Sequence, residues 1–324
     1  MRLKSVAVLI ATLAVLTLRL ASAEDSYPTR PIRLIVGFAA GSSGDVTARI
    51  IGQKLGELLG QTVVVEDRPG ASSMIATSYV ARSAKDGYTL LLATIAATIN
   101  TTLTPNKGPN FEKDLTPITL VGSIPNILVV NPTLNVHDVK GLIALAKQKP
   151  NELLYGASGL GSGPHLATEL FKQMAGIKMT GVLYPGSAQT ATDLLAGRIQ
   201  VMFAPAPTVL GFIRDKRVKA LATSEATRTS VLPDLPTVAE AALPGYDTGV
   251  WFGILAPAGT PKPIVDKISQ ATNNALKDPG LLKKLRTQGL EARGGSPDEF
   301  ARFIKSETER WARVIHGMDA VKDK

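Results

Sequence analysis

The sequence predicts an α/β protein made of two lobes. From Ile32 onward, short runs rich in β-branched residues alternate with helical patterns, which is typical of βα units with largely parallel sheets. The chain of 324 residues is long enough for two lobes that each bury a core. No low-complexity linker divides it, so we expect crossings between the lobes near Leu120–Pro125 and Tyr246–Trp251. The predicted lobes are residues 24–123 with 248–324, and residues 124–247.

Nine segments are predicted as strands, because they are short, rich in β-branched or aliphatic residues and bounded by turn residues. They are Ile32–Phe38, Thr62–Glu66, Tyr88–Thr94, Ile127–Asn131, Leu153–Ala157, Thr180–Tyr184, Ile199–Phe203, Ala220–Thr223 and Val250–Leu255.

The helix after the first predicted strand has the clearest pattern. Apolar residues recur at helical spacing from Val46 to Leu59, Gly60 supplies the stop, and Asp45 or Ser43 is expected to cap the start. Other helices are predicted from Pro164, over Pro261–Lys277 and over Pro297–Met318.

The first 23 residues have the features of a secretion signal. Arg2 and Lys4 precede an apolar run over Val6–Leu18, and Ala21-Ser22-Ala23 forms a small-residue cleavage site. The run is shorter than the roughly 20 residues that span a bilayer. We therefore expect cleavage after Ala23 and a periplasmic protein; the alternative is an uncleaved anchor that leaves the lobes on the same side of the membrane.

Composition limits the classes of partner. The chain has no cysteine, so packing alone must hold an exported protein of this size together. Its formal net charge is +9, but basic residues are scattered among acids and aromatics are only 5%, unlike the basic and aromatic surfaces of nucleic-acid binders. An anionic small ligand is compatible with this charge.

Motifs for common catalysis are missing from the sequence. The serine-rich loops do not form G-x-S-x-G around Ser158 or Ser162, and the three histidines are not paired at the spacing of metal ligands. Gly41-Ser42-Ser43-Gly44 lacks the Lys of a P-loop. Neither a cofactor nor a metal is predicted, and an exported hydrolase of small esters using Ser158 or Ser162 with His165 stays open as an alternative.

Two segments share one pattern of strand, small-residue loop and helix. The first loop is residues 39–44, before a helix expected from Asp45; the second is residues 158–163, before the helix expected from Pro164. Glycines let backbone N–H groups approach a ligand, serines add hydroxyl donors, and a helix N-terminus adds partial positive charge. The pair could hold the two ends of a dicarboxylate or share one carboxylate. Alternatively, the small residues only permit tight turns.

Many spaced motifs resemble the Bug family, the TctC-like binding proteins of tripartite tricarboxylate transporters. They cover essentially the whole chain after residue 23, in order. The matching segments are Tyr27–Val36, the first loop to Asp45, Gly60-Gln61, Val64–Ala71, Asp86–Leu91, Tyr155–Gly159, Pro164–Ala167, Leu232–Thr237, Gly245-Tyr246, Trp251–Gly253 and Ala256–Pro261.

The resemblance implies a two-lobe periplasmic binding protein of type II, with a flanked central β-sheet in each lobe and two crossover strands as the hinge. It implies that the two loops hold a carboxylate ligand. It also implies that two further segments contribute to the binding site, namely Thr94-Ile95-Ala96 and the turn near Tyr184-Pro185-Gly186. The candidate ligand-binding residues are Phe38, Ala40, Gly41, Ser42, Ser43, Asp45, Thr94, Ala96, Ser158, Gly159, Gly161, Ser162, His165, Tyr184 and Pro205.

Two departures from the family pattern bear on the ligand. The first loop has Ala39, Ala40 and Ser42 where relatives commonly have prolines and paired glycines, and Ala204-Pro205 stands where many have Asp-Asn. An acid there could pair with a ligand ammonium, so its absence favours a plain organic acid over an amino acid.

The predicted function is therefore capture of a small carboxylate, either a dicarboxylate, a tricarboxylate or an aromatic acid, by a monomer. The resemblance implies delivery to a transporter with a large and a small membrane subunit like TctA and TctB. A module that presents its loaded form to a membrane kinase is the remaining alternative. For two single residues the sequence leaves open whether they contact the ligand or stabilise a turn: His165 in the second loop's helix, and Arg68.

Overall fold

The computed structural model describes residues 27–104 and 108–317. The predicted signal segment, residues 1–23, lies outside the described residues, as does Met318. The described strands are β1 Ile32–Val36, β2 Val63–Asp67, β3 Thr89–Thr94, β4 Leu115–Val130, β5 Leu154–Ala157, β6 Thr180–Leu183, β7 Val201–Pro205, β8 Lys219–Thr223, β9 Gly249–Pro257 and β10 Glu291–Ala292.

Helices alternate with these strands, which confirms the predicted α/β class. They are α1 Ser43–Leu59, α2 Met74–Ala81, α3 Ile95–Leu103, α4 Phe111–Asp114, α5 Val139–Gln148, α6 Gly163–Ala175, α7 Ser187–Leu195, α8 Ala206–Arg214, α9 Val238–Ala241, α10 Lys262–Ala275, α11 Pro279–Thr287 and α12 Pro297–His316. In the described part of the chain, none of these helices is both long enough and apolar enough to cross a membrane.

The strands form one continuous path in the order β2-β1-β3-β9-β4-β7-β5-β6, with β8 and β10 also paired to β4. At one end β1 pairs in parallel with β2 and β3, and at the other β5 pairs in parallel with β6 and β7. The long strands β4 and β9 are antiparallel to their neighbours and join these two parallel groups.

Strand β4 changes partners along its length. Residues 115–125 pair with β9, whereas Asn126–Val130 pair with β7 on one side and residues 127–130 with β8 on the other. The strand is much longer than the predicted Ile127–Asn131, because Pro117, Gly122 and Pro125 read as breakers in the sequence. Shifts in register near Pro117 and Gly122 accommodate these residues within the strand.

Two local expectations near the first loop are corrected. Strand β1 ends at Val36 rather than Phe38, so Gly37 and Phe38 lie between the strand and the first loop, residues 39–44. Ser42 caps α1 by accepting a hydrogen bond from the N–H of Asp45, so the cap is neither Ser43 nor Asp45 as predicted. The helix consequently begins at Ser43, two residues earlier than expected.

A buried apolar cluster connects elements on both sides of the long strands. Ile95 of α3, Leu166 of α6, Trp251 of β9 and Phe300 of α12 all belong to it. Trp251 meets Phe300 edge to face, with ring centroids 5.8 Å apart. The helix that follows the second loop is therefore packed against the C-terminal helix across β9.

Candidate functional site

The first loop is held by the side chain of Asp45. The N–H of Gly41 donates to Asp45 Oδ2 at 2.8 Å, and the N–H of Asp45 donates to Ser42 Oγ at 3.2 Å. The N–H of Ser42 donates to the carbonyl of Ala39 at 3.1 Å. Gly41 has φ of 78°, in the left-handed region that glycine adopts without strain. The loop therefore closes on itself before α1 begins.

The second loop has the same pattern around His165. The N–H of Gly161 donates to His165 Nδ1 at 3.3 Å, and the N–H of His165 donates to Ser162 Oγ at 3.3 Å. The N–H of Ser162 donates to the carbonyl of Gly159 at 3.3 Å, and Gly161 has φ of 71°. Each hydrogen bond matches one in the first loop, with His165 in the place of Asp45.

The two loops also lie close to one another along β9. A Cβ on Gly44, in the first turn of α1, would lie 3.9 Å from the ring of Phe252. A Cβ on Gly163, at the start of α6, would lie 2.7 Å from Val250 Cγ2, so only glycine fits there. Val250 and Phe252 are two residues apart, which is about 7 Å in a strand. Both helix N-termini therefore contact one short stretch of β9.

The start of α3 belongs to the same region. Thr94 pairs with Phe252 across β3 and β9, and its hydroxyl accepts from the N–H of Ala96 at 3.3 Å, capping the helix. Both Thr94 and Ala96 are buried. A Cβ on Gly163 would also lie 3.9 Å from Ile95 Cγ2. Three helix N-termini thus converge, and their partial positive charges add at this point.

Both loops keep backbone donors free for a ligand. Within residues 27–104 and 108–317, no protein acceptor takes the N–H groups of Ser43, Gly44, Gly159 or Leu160. Ala40 and Leu160 are exposed, and Ser43 and Ser158 are half-buried. Pro164 has no N–H, so the second loop offers fewer helical donors than the first. The arrangement can hold anionic oxygens by backbone N–H groups and hydroxyls.

Asp45 is the charged group under the first loop. It is 4% exposed and pairs with Arg49, whose Nε lies 2.7 Å from Asp45 Oδ1. Arg49 also reaches Asp67 Oδ2 at 3.3 Å. Burial of Asp67 raises its pKa, and the nearby Asp45 carboxylate raises it further. Asp45 therefore anchors the loop from below and shares its cation with a second acid.

His165 stabilises the second loop, because its Nδ1 accepts a hydrogen bond from that loop and does not donate one to a ligand. The ring is 3% exposed, and burial lowers its pKa, which favours the neutral form. Because Nδ1 accepts from Gly161, the proton of the neutral ring lies on Nε2. Of the two roles left open by the sequence, the geometry favours the contact that holds the loop.

Three other predicted residues have their contacts outside the two loops. Tyr184 donates to Asp193 Oδ2 at 2.8 Å; burial raises the pKa of Tyr184 to about 12, with Asp193 adding to it. Pro205 ends β7 opposite Asn126 and precedes α8. Phe38 is half-buried against the largest apolar cluster. No hydrogen bond among the described residues connects these three to the loops.

Arg68, the other undecided residue, anchors its own turn. Its guanidinium carbon lies 3.8 Å from the ring centroid of Tyr79, and its Nη2 lies 3.4 Å from Glu66 Oε2. The same Glu66 pairs with Arg33. These contacts occupy the Arg68 side chain, whose positive charge had suggested contact with an anionic ligand.

Sequence reasoning missed the segment from Gly70 to Ser73. Ala71, Ser72 and Ser73 all have positive φ, and Ser73 lies so close to Gly37 that a Cβ on Gly37 would collide with its hydroxyl. Asn100 of α3 donates to the carbonyl of Ser72 at 2.8 Å, which joins this segment to α3. Consecutive left-handed residues without glycine have no sequence signal, so only the structure reveals this third segment beside the first loop.

The proposed serine and histidine pair of a hydrolase finds no support in the geometry. Ser162 Oγ accepts from the backbone N–H of His165, and the imidazole Nδ1 accepts from Gly161. In the described part of the chain, no hydrogen bond joins the hydroxyl of Ser158 or Ser162 to the ring. Likewise, among those residues no group of three His, Cys, Asp or Glu is arranged to hold a metal ion.

Comparison with known proteins identifies the family. The protein-family model TctC, described as "Tripartite tricarboxylate transporter family receptor", matches residues 47–319 of this chain. Protein BugT of Bordetella pertussis is 38% identical over 293 residues, which is 90% of both chains. The chain therefore belongs to the TctC family of solute-binding proteins, whose receptors are extracytoplasmic.

Solved structures of similar proteins agree with this assignment. The structure "R. palustris Rpa4515 with adipate" is 39% identical with a TM-score of 0.81, covering 89% of this chain and 97% of that one. "MatC (Rpa3494) from Rhodopseudomonas palustris with bound malate" is 29% identical with a TM-score of 0.78, covering 89% and 100%. These similarities confirm the predicted fold class, a periplasmic binding protein.

Proposed function

We propose that this protein captures a small carboxylate between its two loops and delivers it to the membrane subunits of a tripartite tricarboxylate transporter. The observation that carries the proposal is the pair of equivalent loops against one stretch of β9, each with backbone N–H groups in or next to the first turn of a helix or in the loop before it that have no acceptor among the described residues. Such N–H groups bind anionic oxygens, and a closed site strengthens that interaction by excluding water. That similar proteins are solved with adipate and with malate supports the same ligand class.

The lobes proposed for this function are residues 24–123 with 248–324, and residues 124–247. The change of partners in β4 after Pro125, and the start of β9 at Gly249, support these boundaries. Rotation about these two segments would bring the loops together over the ligand. The proposal includes a signal peptide cleaved after Ala23, a monomeric periplasmic protein and partners like TctA and TctB.

The candidate binding residues are proposed to divide by role. Ser43, Ala40, Ser158 and Gly159 would contact the ligand through N–H groups or hydroxyls, because these groups lie in the loops and are not buried. Gly41, Ser42, Gly161 and Ser162, with Asp45 and His165, would hold the two loops in shape. Thr94 and Ala96 would add the third helix start, and Phe38, Tyr184 and Pro205 would border the site.

The test is ligand binding by the mature protein, measured by thermal shift and calorimetry. We expect adipate or malate to raise the melting temperature; a ligand at 100 times its Kd adds about 2.7 kcal/mol of stability. An amino acid of the same length serves as the comparison. If none of the dicarboxylates, tricarboxylates and aromatic acids binds, the proposal fails.

A pair of variants at Ser43 tests the backbone donor directly. Ser43 is the first residue of α1, where proline is tolerated and removes only an N–H that has no helical partner. Ser43→Pro should weaken acid binding about tenfold or more, whereas Ser43→Ala, which keeps the N–H and loses the hydroxyl, reports the side chain alone. Equal affinities for the two variants would show that this N–H does not bind the ligand.

A further inference from the structure

Glu225 is a buried carboxyl that the ligand site does not use. It is the second residue after β8 and is 6% exposed. No cation in the described part of the chain lies within ion-pair distance of it, unlike the other strongly buried glutamate, Glu307, which pairs with Arg310 at 2.7 Å. A buried carboxyl without a paired cation is costly to ionise.

Its neighbour Ser224 connects the two segments on which rotation would occur. Ser224 Oγ accepts from the N–H of Asn126 at 2.9 Å and donates to the carbonyl of Thr248 at 2.5 Å. The N–H of Ser224 donates to the carbonyl of Asn126 at 2.8 Å. Asn126 is where β4 changes partners, and Thr248 immediately precedes β9. Residues 224–225 therefore lie where both connections meet.

The carboxyl of Glu225 is packed against these same segments. A Cβ on Gly249 would collide with its Oε1, so only glycine lets the carboxyl lie against the start of β9. The side chain of Ser123 of β4 lies near enough to the carboxyl to lower its pKa, against the larger effect of burial. Ser123 pairs with Trp251 and Gly249 with Pro125 in the part of β4 that pairs with β9, whereas Glu225 follows β8, which pairs with residues 127–130 of β4. The contact thus spans the proposed boundary between the lobes.

The charged groups that face Glu225 come from two further elements. Arg293, after β10, attracts its charge, while Glu291 of β10 and Asp247 repel it. Glu291 is itself bound by the N–H of Ser230 at 3.0 Å, and Asp247 Oδ1 accepts from the N–H of Ala226 at 2.9 Å. One cation therefore faces two acids around a desolvated carboxyl.

We propose that Glu225 holds a proton while the two connecting segments are packed as described and releases it when they separate, so that the protein binds its ligand more tightly as the pH falls. The inference rests on the proposed function, in which ligand capture brings the lobes together. Separating residues 224–225 from Ser123 and Gly249 would admit water to the carboxyl, and a hydrated carboxyl ionises at its ordinary pH.

The direction follows from burial. Burial raises the pKa of Glu225 in the packed arrangement. The stabilisation of that arrangement is fully present below the pKa of the hydrated carboxyl and is lost as the pH rises through the raised pKa. Each unit of difference between the two pKa values changes ligand affinity about tenfold at most.

The experiment measures the Kd for adipate and for malate by calorimetry between about pH 5 and about pH 8, above the ordinary pKa of a glutamate carboxyl. Wild type is compared with Glu225→Gln, which keeps the shape and cannot ionise, and with Glu307→Gln as a matched control. Glu307 is also buried and its pKa is also raised, but its partners Arg310 and Trp311 lie on its own helix. We expect Glu225→Gln to lose the tightening at acid pH and Glu307→Gln to keep it.

The same pH dependence in Glu225→Gln and in wild type would overturn the inference. Small-angle scattering without ligand separates this result from failure of the proposed function. Wild type should become more compact as the pH falls and Glu225→Gln should not, whichever acid the protein binds. If no acid binds but this compaction is seen, the proposed function fails and the proton-linked hinge stands; if compaction is identical in both proteins, the hinge proposal fails.

Discussion

The first and second loops differ in one residue of an otherwise shared hydrogen-bonding pattern. Each has a glycine of positive φ, a serine cap with φ of −68°, and a side chain three residues after that serine which accepts from the glycine N–H. The accepting side chain is the carboxylate of Asp45 in one loop and the neutral imidazole of His165 in the other. The comparison shows that the pattern fixes the shape of the loop, while the acceptor sets its charge.

That difference assigns distinct tasks to two loops of the same shape. Asp45 is tied to Arg49 and lies near Asp67, so the first loop rests on a network of charges. His165 is buried with its ring centroid 6.4 Å from that of Tyr155, and Glu169 and Lys172 act on its pKa in opposite directions. A hydrogen bond to a charged acceptor contributes more than one to a neutral acceptor. The first loop should therefore be the more sensitive to loss of its acceptor.

The largest expected effect comes from Asp45→Ala. This change removes the acceptor for the N–H of Gly41 and leaves Arg49 with Asp67 alone. We expect a loss of about 2 kcal/mol of unfolding free energy, as for a hydrogen bond to a charged group, together with loss of acid binding. Denaturant unfolding and calorimetry measure the two effects.

The matched variant Asp45→Asn separates the bond from the charge. Its amide oxygen can still accept from Gly41, so we expect a smaller loss of stability and partial retention of binding. If Asp45→Asn and Asp45→Ala are equally damaging, the charge network with Arg49 matters and the loop hydrogen bond does not.

The shared pattern was visible in the sequence only in part. Both loops were predicted from their glycines and serines, and Ser162 precedes a proline suited to the first helical turn. The cap at Ser42 was assigned to the wrong residue, because three polar residues within four positions, Ser42, Ser43 and Asp45, each qualify as caps by type. Residue type does not decide among neighbours when the backbone position of the helix start is unknown.

Loss of a helix cap is expected to have the second-largest effect on stability. It also tests whether the two loops are equivalent. Ser42→Ala and Ser162→Ala each remove one cap bond, of 3.2 Å and 3.3 Å respectively. We expect each to cost about 1 kcal/mol of unfolding free energy, and the two costs to agree closely. Ser306→Ala, on the exposed face of α12, should change stability by less than about 0.5 kcal/mol. Clearly unequal costs at Ser42 and Ser162 would show that the two loops are not equivalent in energy.

Contacts between distant segments are what the sequence could not supply. Strand β4 appeared as a five-residue strand because prolines at 117 and 125 interrupt its pattern. The left-handed turn at Ala71–Ser73 exists because Asn100 and Gly37, both remote in sequence, hold it in place. The residue pattern of the two loops and the family resemblance predicted the candidate site; the role of each side chain in it depends on partners that only the folded chain brings together.

The smallest effect at neutral pH, and the sharpest test of the difference between the loops, is titration of His165. Burial lowers its pKa below the ordinary value of 6.5, so the unfolded chain binds a proton at a higher pH than the folded chain does. The stabilisation is therefore fully present above about pH 6.5 and is lost as the pH falls through the lowered pKa. Below that pKa a proton on Nδ1 would displace the hydrogen bond from Gly161.

Measuring stability against pH in matched variants isolates this contribution. His165→Asn has no titrating ring, and its difference from wild type should be constant above about pH 7 and shrink as the pH falls. His316→Gln, at the exposed end of α12, should follow wild type throughout. Because Asp45 occupies the same place in the first loop without an imidazole, acid should loosen the second loop selectively, seen as faster hydrogen exchange at residues 158–163 than at residues 39–44. If acid changes hydrogen exchange equally in both loops, the difference between the carboxylate of Asp45 and the imidazole of His165 does not determine how each loop responds to pH.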